Sequence, residues 1–61
     1  MADRKKFRID SFYGLAHAKA YFDFEEDAIE YGLHEFEAGN VVFLLRLVSH
    51  KKYEVVCLIE L

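Results

Sequence analysis

The residues of this chain that could do chemistry are three histidines, one cysteine and a dense run of carboxylates. Glu30 and His34 are four residues apart, which would place both side chains on one face of a helix, where they could share a metal ion. A zinc site needs three or four ligands, and a third ligand would have to come from elsewhere in the chain. We therefore expect neither a metal nor another cofactor.

Covalent catalysis is not indicated either. Cys57 falls on the core face of a predicted strand, whereas reactive cysteines lie in exposed, electropositive places. Ser11 and Ser49 have no adjacent base, and the chain has no glycine-rich phosphate loop or nucleotide fingerprint. A chain of 61 residues also has little room for a pocket of enzymatic size. We expect a protein that is not an enzyme.

The most distinctive pattern is electrostatic. Residues 23–37 carry seven acidic side chains and no Lys or Arg, so the charge of this segment is −7, that of the remainder +4 and that of the chain −3. The face expected to point away from the core carries Glu26, Asp27, Glu30, His34 and Glu37. This acidic face is either a solvated surface that keeps the protein soluble or a docking surface for a basic protein.

One helix would position these carboxylates. Asp23 is its predicted N-cap, with Glu26 three residues later as the capping-box partner, and Gly39 in a left-handed conformation is predicted just beyond its end. Apolar residues recur at spacings of three and four, at Ala28, Ile29, Gly32, Leu33 and Phe36. Gly32 disfavours a helix but lies on this stripe, which predicts close packing against a sheet.

Two stretches of alternating residues around Gly14-Leu15 predict a hairpin over residues 6–23, with Gly14 at the first central position of a type II′ turn. The paired residues would be Phe7–Phe22, Arg8–Tyr21, Ile9–Ala20, Asp10–Lys19 and Phe12–His17. This register brings opposite charges and a cation–π pair together. The alternative is a helix through residues 15–22, which the alanines favour, but it offers no comparable set of pairs.

Residues 41–48 and 52–61 predict a second hairpin, turning at residues 49–51. Its register pairs Arg46 with Glu54 and directs Phe43, Leu45 and Cys57 toward the helix. The predicted fold class is α+β: a ββαββ arrangement with a four-stranded, largely antiparallel sheet and one helix packed on one face. The chain would form a single domain over residues 1–61, with residues 1–5 frayed.

One helix can cover only one face of the sheet. The predicted register leaves on the other face Val42, Leu44, Arg46, Val48, Val56 and Leu58. A monomer seldom leaves such an apolar patch in water, so either edge loops or tails shield it or a partner covers it. A two-fold homodimer is the commonest symmetric solution, and it would stabilise a chain that buries only about 60% of its unfolded surface.

The leading hypothesis is a non-enzymatic homodimer that binds a basic protein surface through the acidic helix face and acts as an inhibitor or adaptor. Its small size and acidity would suit a phage or bacterial inhibitor of a host enzyme or defence system. No signal peptide or membrane-spanning run is visible, so we expect a cytoplasmic protein (host cytoplasm if viral) without a membrane partner. The alternative is a small nucleic-acid-binding module that uses the basic N-terminus with Phe12 and Tyr21 on the outer sheet face, although the net acidity argues against it.

Overall fold

Two hairpins flank a single helix in the computed structural model, which describes residues 5–61. The elements are β1 (Phe7–Tyr13), β2 (Ala16–Phe22), α1 (Glu25–Glu37), β3 (Val41–Ser49) and β4 (Lys52–Ile59). The strands form one sheet in the order β2-β1-β3-β4, and every neighbouring pair is antiparallel. Because β1 separates β2 from β3, two strands that run the same way are never neighbours. The predicted α+β fold is confirmed.

The first hairpin has the predicted register along its whole length. Phe7 lies opposite Phe22 and Tyr13 lies opposite Ala16, with each intervening pair as expected from the sequence. Gly14 has a φ of 59°, as the first central position of a type II′ turn requires, and among residues 5–61 only glycines have a positive φ. This left-handed position selects glycine and fixes the turn, and the turn fixes the pairing.

The C-terminal end of α1 also matches its prediction. Gly39 has a φ of 98°, and its N–H donates to the carbonyl of Phe36 at 2.9 Å. The N–H of Asn40 donates to the carbonyl of Glu35 at 3.1 Å. These two bonds form a Schellman motif, which satisfies carbonyls that the helix leaves without partners.

The predicted N-cap of α1 is wrong. The cap residue is Phe24, and no side chain bonds the first helical N–H groups. Asp23 instead accepts a hydrogen bond from Nζ of Lys5 at 3.0 Å. Its carboxylate therefore joins the end of the first hairpin to the segment before β1, and the acidic first turn of α1 is left to complement the helix dipole. The expected fraying of residues 1–5 concerns mainly residues 1–4, which lie outside the described part of the chain.

The core is a single layer between α1 and the two central strands, β1 and β3. Its buried apolar members are Ile9, Ala28, Val42, Leu44 and Ile59. A Cβ atom built on Gly32 would lie 3.2 Å from both Cγ1 of Ile59 and Cδ1 of Ile9, which is closer than most real contacts of a Cβ. The helix can approach the sheet this closely because Gly32 has no side chain, as its position on the apolar stripe predicted.

Replacing Gly32 with valine is expected to lower the free energy of unfolding by about 1–3 kcal/mol, because extra methyl groups in a filled core force side chains or backbone to move. Urea denaturation followed by circular dichroism measures this loss. The control is Glu37→Val at an exposed position of the same helix, which should change stability by no more than about 0.5 kcal/mol. Equal stabilities for the two variants would show that the helix can retreat from the sheet without cost.

The predicted face assignment of β3 is wrong. Val42 and Leu44, expected on the uncovered face, have exposed fractions of 0% and 2% and lie beneath α1. Leu44 is opposite Ile9 in the pairing of β3 with β1, so the two side chains share the helix-covered face. The face away from α1, called the open face below, instead receives Phe43 and Leu45 from β3.

The faces of β3 follow from its pairing with β1, and a β-bulge in β4 adds a second departure from the predicted register. Leu45 pairs with Val55 as predicted, but Leu44 pairs with Cys57, so Val56 has no partner on β3. An extra residue reverses the alternation of faces beyond it, which is why the predicted pairs fail on one side of the bulge only. Since β3 is apolar on both faces, its own pattern carries no sign of the reversal.

Candidate functional site

The acidic face of α1 borders an open groove of about 520 Å³ beside the edge strand β2. Its walls are Asp27, Glu30 and His34 from the helix, together with Phe22 and Tyr31. Steps of three and four residues put the helical members on one stripe, and the last residue of β2 brings Phe22 to the same place. The fold therefore gathers three of the five predicted docking residues into one concave site.

Two aromatic rings contribute to the lining of this groove. The ring centroids of Phe22 and Tyr31 are 5.3 Å apart, with planes inclined at 48°. Both side chains are half-buried and pack against the core, so the rings are held in place. A cation held over an aromatic face is attracted by the ring, and the carboxylates of Asp27 and Glu30 add a direct charge interaction. The groove is thus suited chemically to a lysine or arginine side chain.

The other predicted docking residues, Glu26 and Glu37, are exposed but do not line the groove. Among residues 5–61, no ion pair involves any carboxylate of the acidic face. Their charge is therefore not neutralised within the described part of the chain. Phe22 and Tyr31 are groove residues that the sequence did not single out; the one signal was the spacing of Tyr31 four residues after Asp27.

A second cluster lies on the open face, around a buried carboxylate. Asp10 accepts two hydrogen bonds from Arg8, one from Nε at 2.6 Å and one from Nη2 at 2.9 Å. Nε2 of His17 lies 3.4 Å from Oδ2 of the same carboxylate. Burial opposes the charge of Arg8, but the hydrogen bond and charge of Asp10, helped by Tyr21, raise the pKa of Arg8 above its ordinary value. The side chain of Arg8 is therefore held in the ion pair with Asp10.

Two tyrosine rings lie beside this ion pair. Cζ of Arg8 lies over the ring of Tyr53, 5.2 Å from its centroid, and the ring centroids of Tyr53 and Tyr21 are 5.8 Å apart. These tyrosines belong to the two edge strands, which in a flat sheet would be separated by about 14 Å. The two tyrosine side chains therefore reach toward each other across the open face. Asp10 and Leu45, on the central strands between them, are buried without a second layer of structure.

The predicted pairs of this face are partly confirmed. Phe12 and His17 stack, with centroids 4.1 Å apart and planes at 18°. Lys19 lies opposite Asp10 as predicted, but the carboxylate is bound by Arg8 from its own strand. The predicted cation–π contact of Arg8 with Tyr21 is replaced by the contact with Tyr53. His17 thus contacts both the carboxylate of Asp10 and the ring of Phe12.

The predicted dimer residues do not form one surface. Val42 and Leu44 are buried, as described above. Arg46, Val48, Val56 and Leu58 are exposed, but Arg46 belongs to the helix side, opposite Glu54. Cys57, expected in the core, is exposed on the edge strand β4.

Within residues 5–61, no group of three or more His, Cys, Asp or Glu side chains is arranged to hold a metal ion. The described helix is neither long enough nor apolar enough to cross a membrane. Comparisons with known protein families, with curated proteins and with solved structures found no match to this chain.

Proposed function

We propose that this chain is a non-enzymatic protein-binding module that takes a basic segment of another protein into the groove along α1, acting in the cytoplasm as an inhibitor or adaptor. One observation carries the proposal: Asp27 and Glu30, neither in an ion pair within residues 5–61, flank two ordered aromatic rings in a concave site. A merely solubilising surface needs the charges but not the rings.

The energies indicate what kind of partner this site would need. An exposed ion pair contributes about 0.2–1 kcal/mol and an exposed cation–π contact about 0.5–1 kcal/mol, so one basic side chain would bind weakly. A partner with several bases would engage the groove and also Glu26 and Glu37 beside it. A nucleic-acid-binding groove of an enzyme has this chemistry, and the acidic helix would compete there with phosphates.

Neutralising the groove with Asp27→Asn and Glu30→Gln is expected to weaken binding of a fluorescein-labelled nona-arginine peptide by at least about tenfold, or 1.4 kcal/mol. Fluorescence anisotropy at low salt measures the affinity. The matched control is Glu54→Gln with Glu60→Gln on and after β4, which makes the same change in net charge and should weaken binding less than about threefold. Equal losses would mean that only net charge matters and would contradict the groove.

The rival function, binding of nucleic acid on the open face, is supported by one observation. Phe12, Tyr21 and Lys19 share that face, as the hypothesis requires. Arg8, however, is already bonded to Asp10, which removes its strongest candidate for a phosphate contact. Binding of a single-stranded oligonucleotide separates the two functions. Under the rival function the wild type binds it, the double variant Lys19→Glu with Tyr21→Ala loses this binding, and the groove variant keeps it.

A further inference from the structure

The longest exposed apolar stretch of a strand is on β4. Val55, Val56 and Leu58 have exposed fractions of 60%, 49% and 45%, and Cys57 between them is also exposed. On β3 the neighbouring Val41 is exposed as well. This group, called the β4 surface below, continues around the strand from one face of the sheet to the other.

The β4 surface is exposed because of the position of β4 in the sheet. The helix lies over β1 and β3, and β4 is the last strand of the sheet, so its outer edge has no strand beside it. Natural edge strands are commonly protected by central charges, by bulges or by being short. The other edge strand, β2, has a charge at its centre, Lys19. In β4 no charge lies between Glu54 and Glu60, and the bulge at Val56 only adds another exposed valine.

We propose that the β4 surface binds the β4 surface of a second copy of this chain, joining two sheets edge to edge around a two-fold axis near Cys57. If Val55 and Val56 are counted as one step because of the bulge, this axis sets Leu58 opposite those two valines of the second copy. Glu54 then faces Ile59, and Glu60 faces Tyr53. At the centre of this register apolar side chains meet apolar side chains, and at its ends no like charges face each other.

The chemistry of the β4 surface favours a second copy over a charged partner. A partner rich in charge would leave its own charges unpaired against Val55–Ile59, whereas a second copy presents an equally apolar edge. The β4 surface lies away from the groove. Because β2 and β4 are opposite edges of the sheet, both grooves of the dimer stay free.

Light scattering coupled to size-exclusion chromatography tests the proposal. The wild type is expected to have twice the mass of Val56→Lys with Leu58→Lys, whose circular dichroism should be unchanged because both positions are exposed. The control is Tyr13→Lys with Leu15→Lys, which also replaces two exposed apolar residues but at the tip of the first hairpin, and it should remain a dimer. A monomeric wild type at millimolar concentration, or a dimer that survives the change at β4, would overturn the proposal.

Cys57 supplies a second, independent measurement, since it is the only cysteine of the chain. A short bis-maleimide should join two copies, each thiol adding across one maleimide double bond, and the covalent dimer should be absent from Cys57→Ser and from the lysine variant of β4. A wild-type dimer that forms without this cross-link would show that the copies meet elsewhere. Peptide affinity of the groove is measured separately, so failure of the dimer and failure of the proposed function remain distinguishable.

Discussion

Asp10→Ala is expected to lower the free energy of unfolding by about 3–5 kcal/mol, because it leaves the guanidinium of Arg8 without its carboxylate. The two side chains have exposed fractions of only 10% and 18%, so water cannot replace the lost hydrogen bonds fully. A single small core rarely supplies more than about 3–5 kcal/mol of stability, so most of the variant should be unfolded at room temperature. Circular dichroism with urea titration measures the loss.

The matched control is Asp23→Ala, which makes the same substitution in an exposed ion pair. The pair of Lys5 and Asp23 is joined at 3.0 Å but more than half exposed on both sides, so its loss should cost at most about 1 kcal/mol. Replacing both Arg8 and Asp10 with leucine should restore much of the stability, since an apolar pair avoids the cost of desolvating charge. Equal small losses for the two aspartates would show that water reaches Asp10 and replaces the hydrogen bonds of Arg8.

Leu44→Ala is expected to lower the free energy of unfolding by about 2–5 kcal/mol, because it opens a cavity beneath α1. The control is Leu15→Ala at the hairpin turn, where the leucine is fully exposed and the change should stay within about 0.5 kcal/mol. Thermal and urea denaturation give both values. A small loss at Leu44 would contradict its burial beneath α1 and would support the register predicted from the sequence, in which this residue faces away from the helix.

The position of Leu44 also decides how self-association can be examined. A charged residue in its place would unfold the chain and so could not distinguish a dimer from a monomer. Val56 and Leu58 are exposed, and their replacement tests the surface without disturbing the core. The proposed β4 surface therefore shares only two residues, Val56 and Leu58, with the interface predicted from alternation.

Most of the fold could be predicted because its signals are local. Gly14 fixes one turn, and every pair of the first hairpin follows from that position. Gly39 marks the end of the helix, and Gly32 on the apolar stripe indicates close approach to the sheet. The predicted N-cap at Asp23 failed because a competing partner, Lys5, is brought to it by the fold.

The candidate site was predicted less completely. The acidic stripe with Asp27, Glu30 and His34 follows from helical spacing alone, so its chemistry was visible in the sequence. Its aromatic lining was not, because Phe22 reaches the groove from another element. The partner of Asp10 was missed although its signal is local: pairing across the hairpin pointed to Lys19, but Arg8 lies two residues away on the same face of β1.

Local spacing was thus sufficient for the order of elements, the turn types and the acidic stripe, because each depends on residues close together in the chain. Strand order, the face of β3 and the composition of the groove depend on contacts between distant segments. The face of β3 follows from its pairing with β1, and a strand that is largely apolar on both sides cannot reveal which face the helix covers. The unpaired Val56 then reverses the faces of β4 beyond it, which no local pattern shows. Packing of α1 against Ile9, Val42 and Ile59 selects the register, and with it the side chains left at the edge of the sheet.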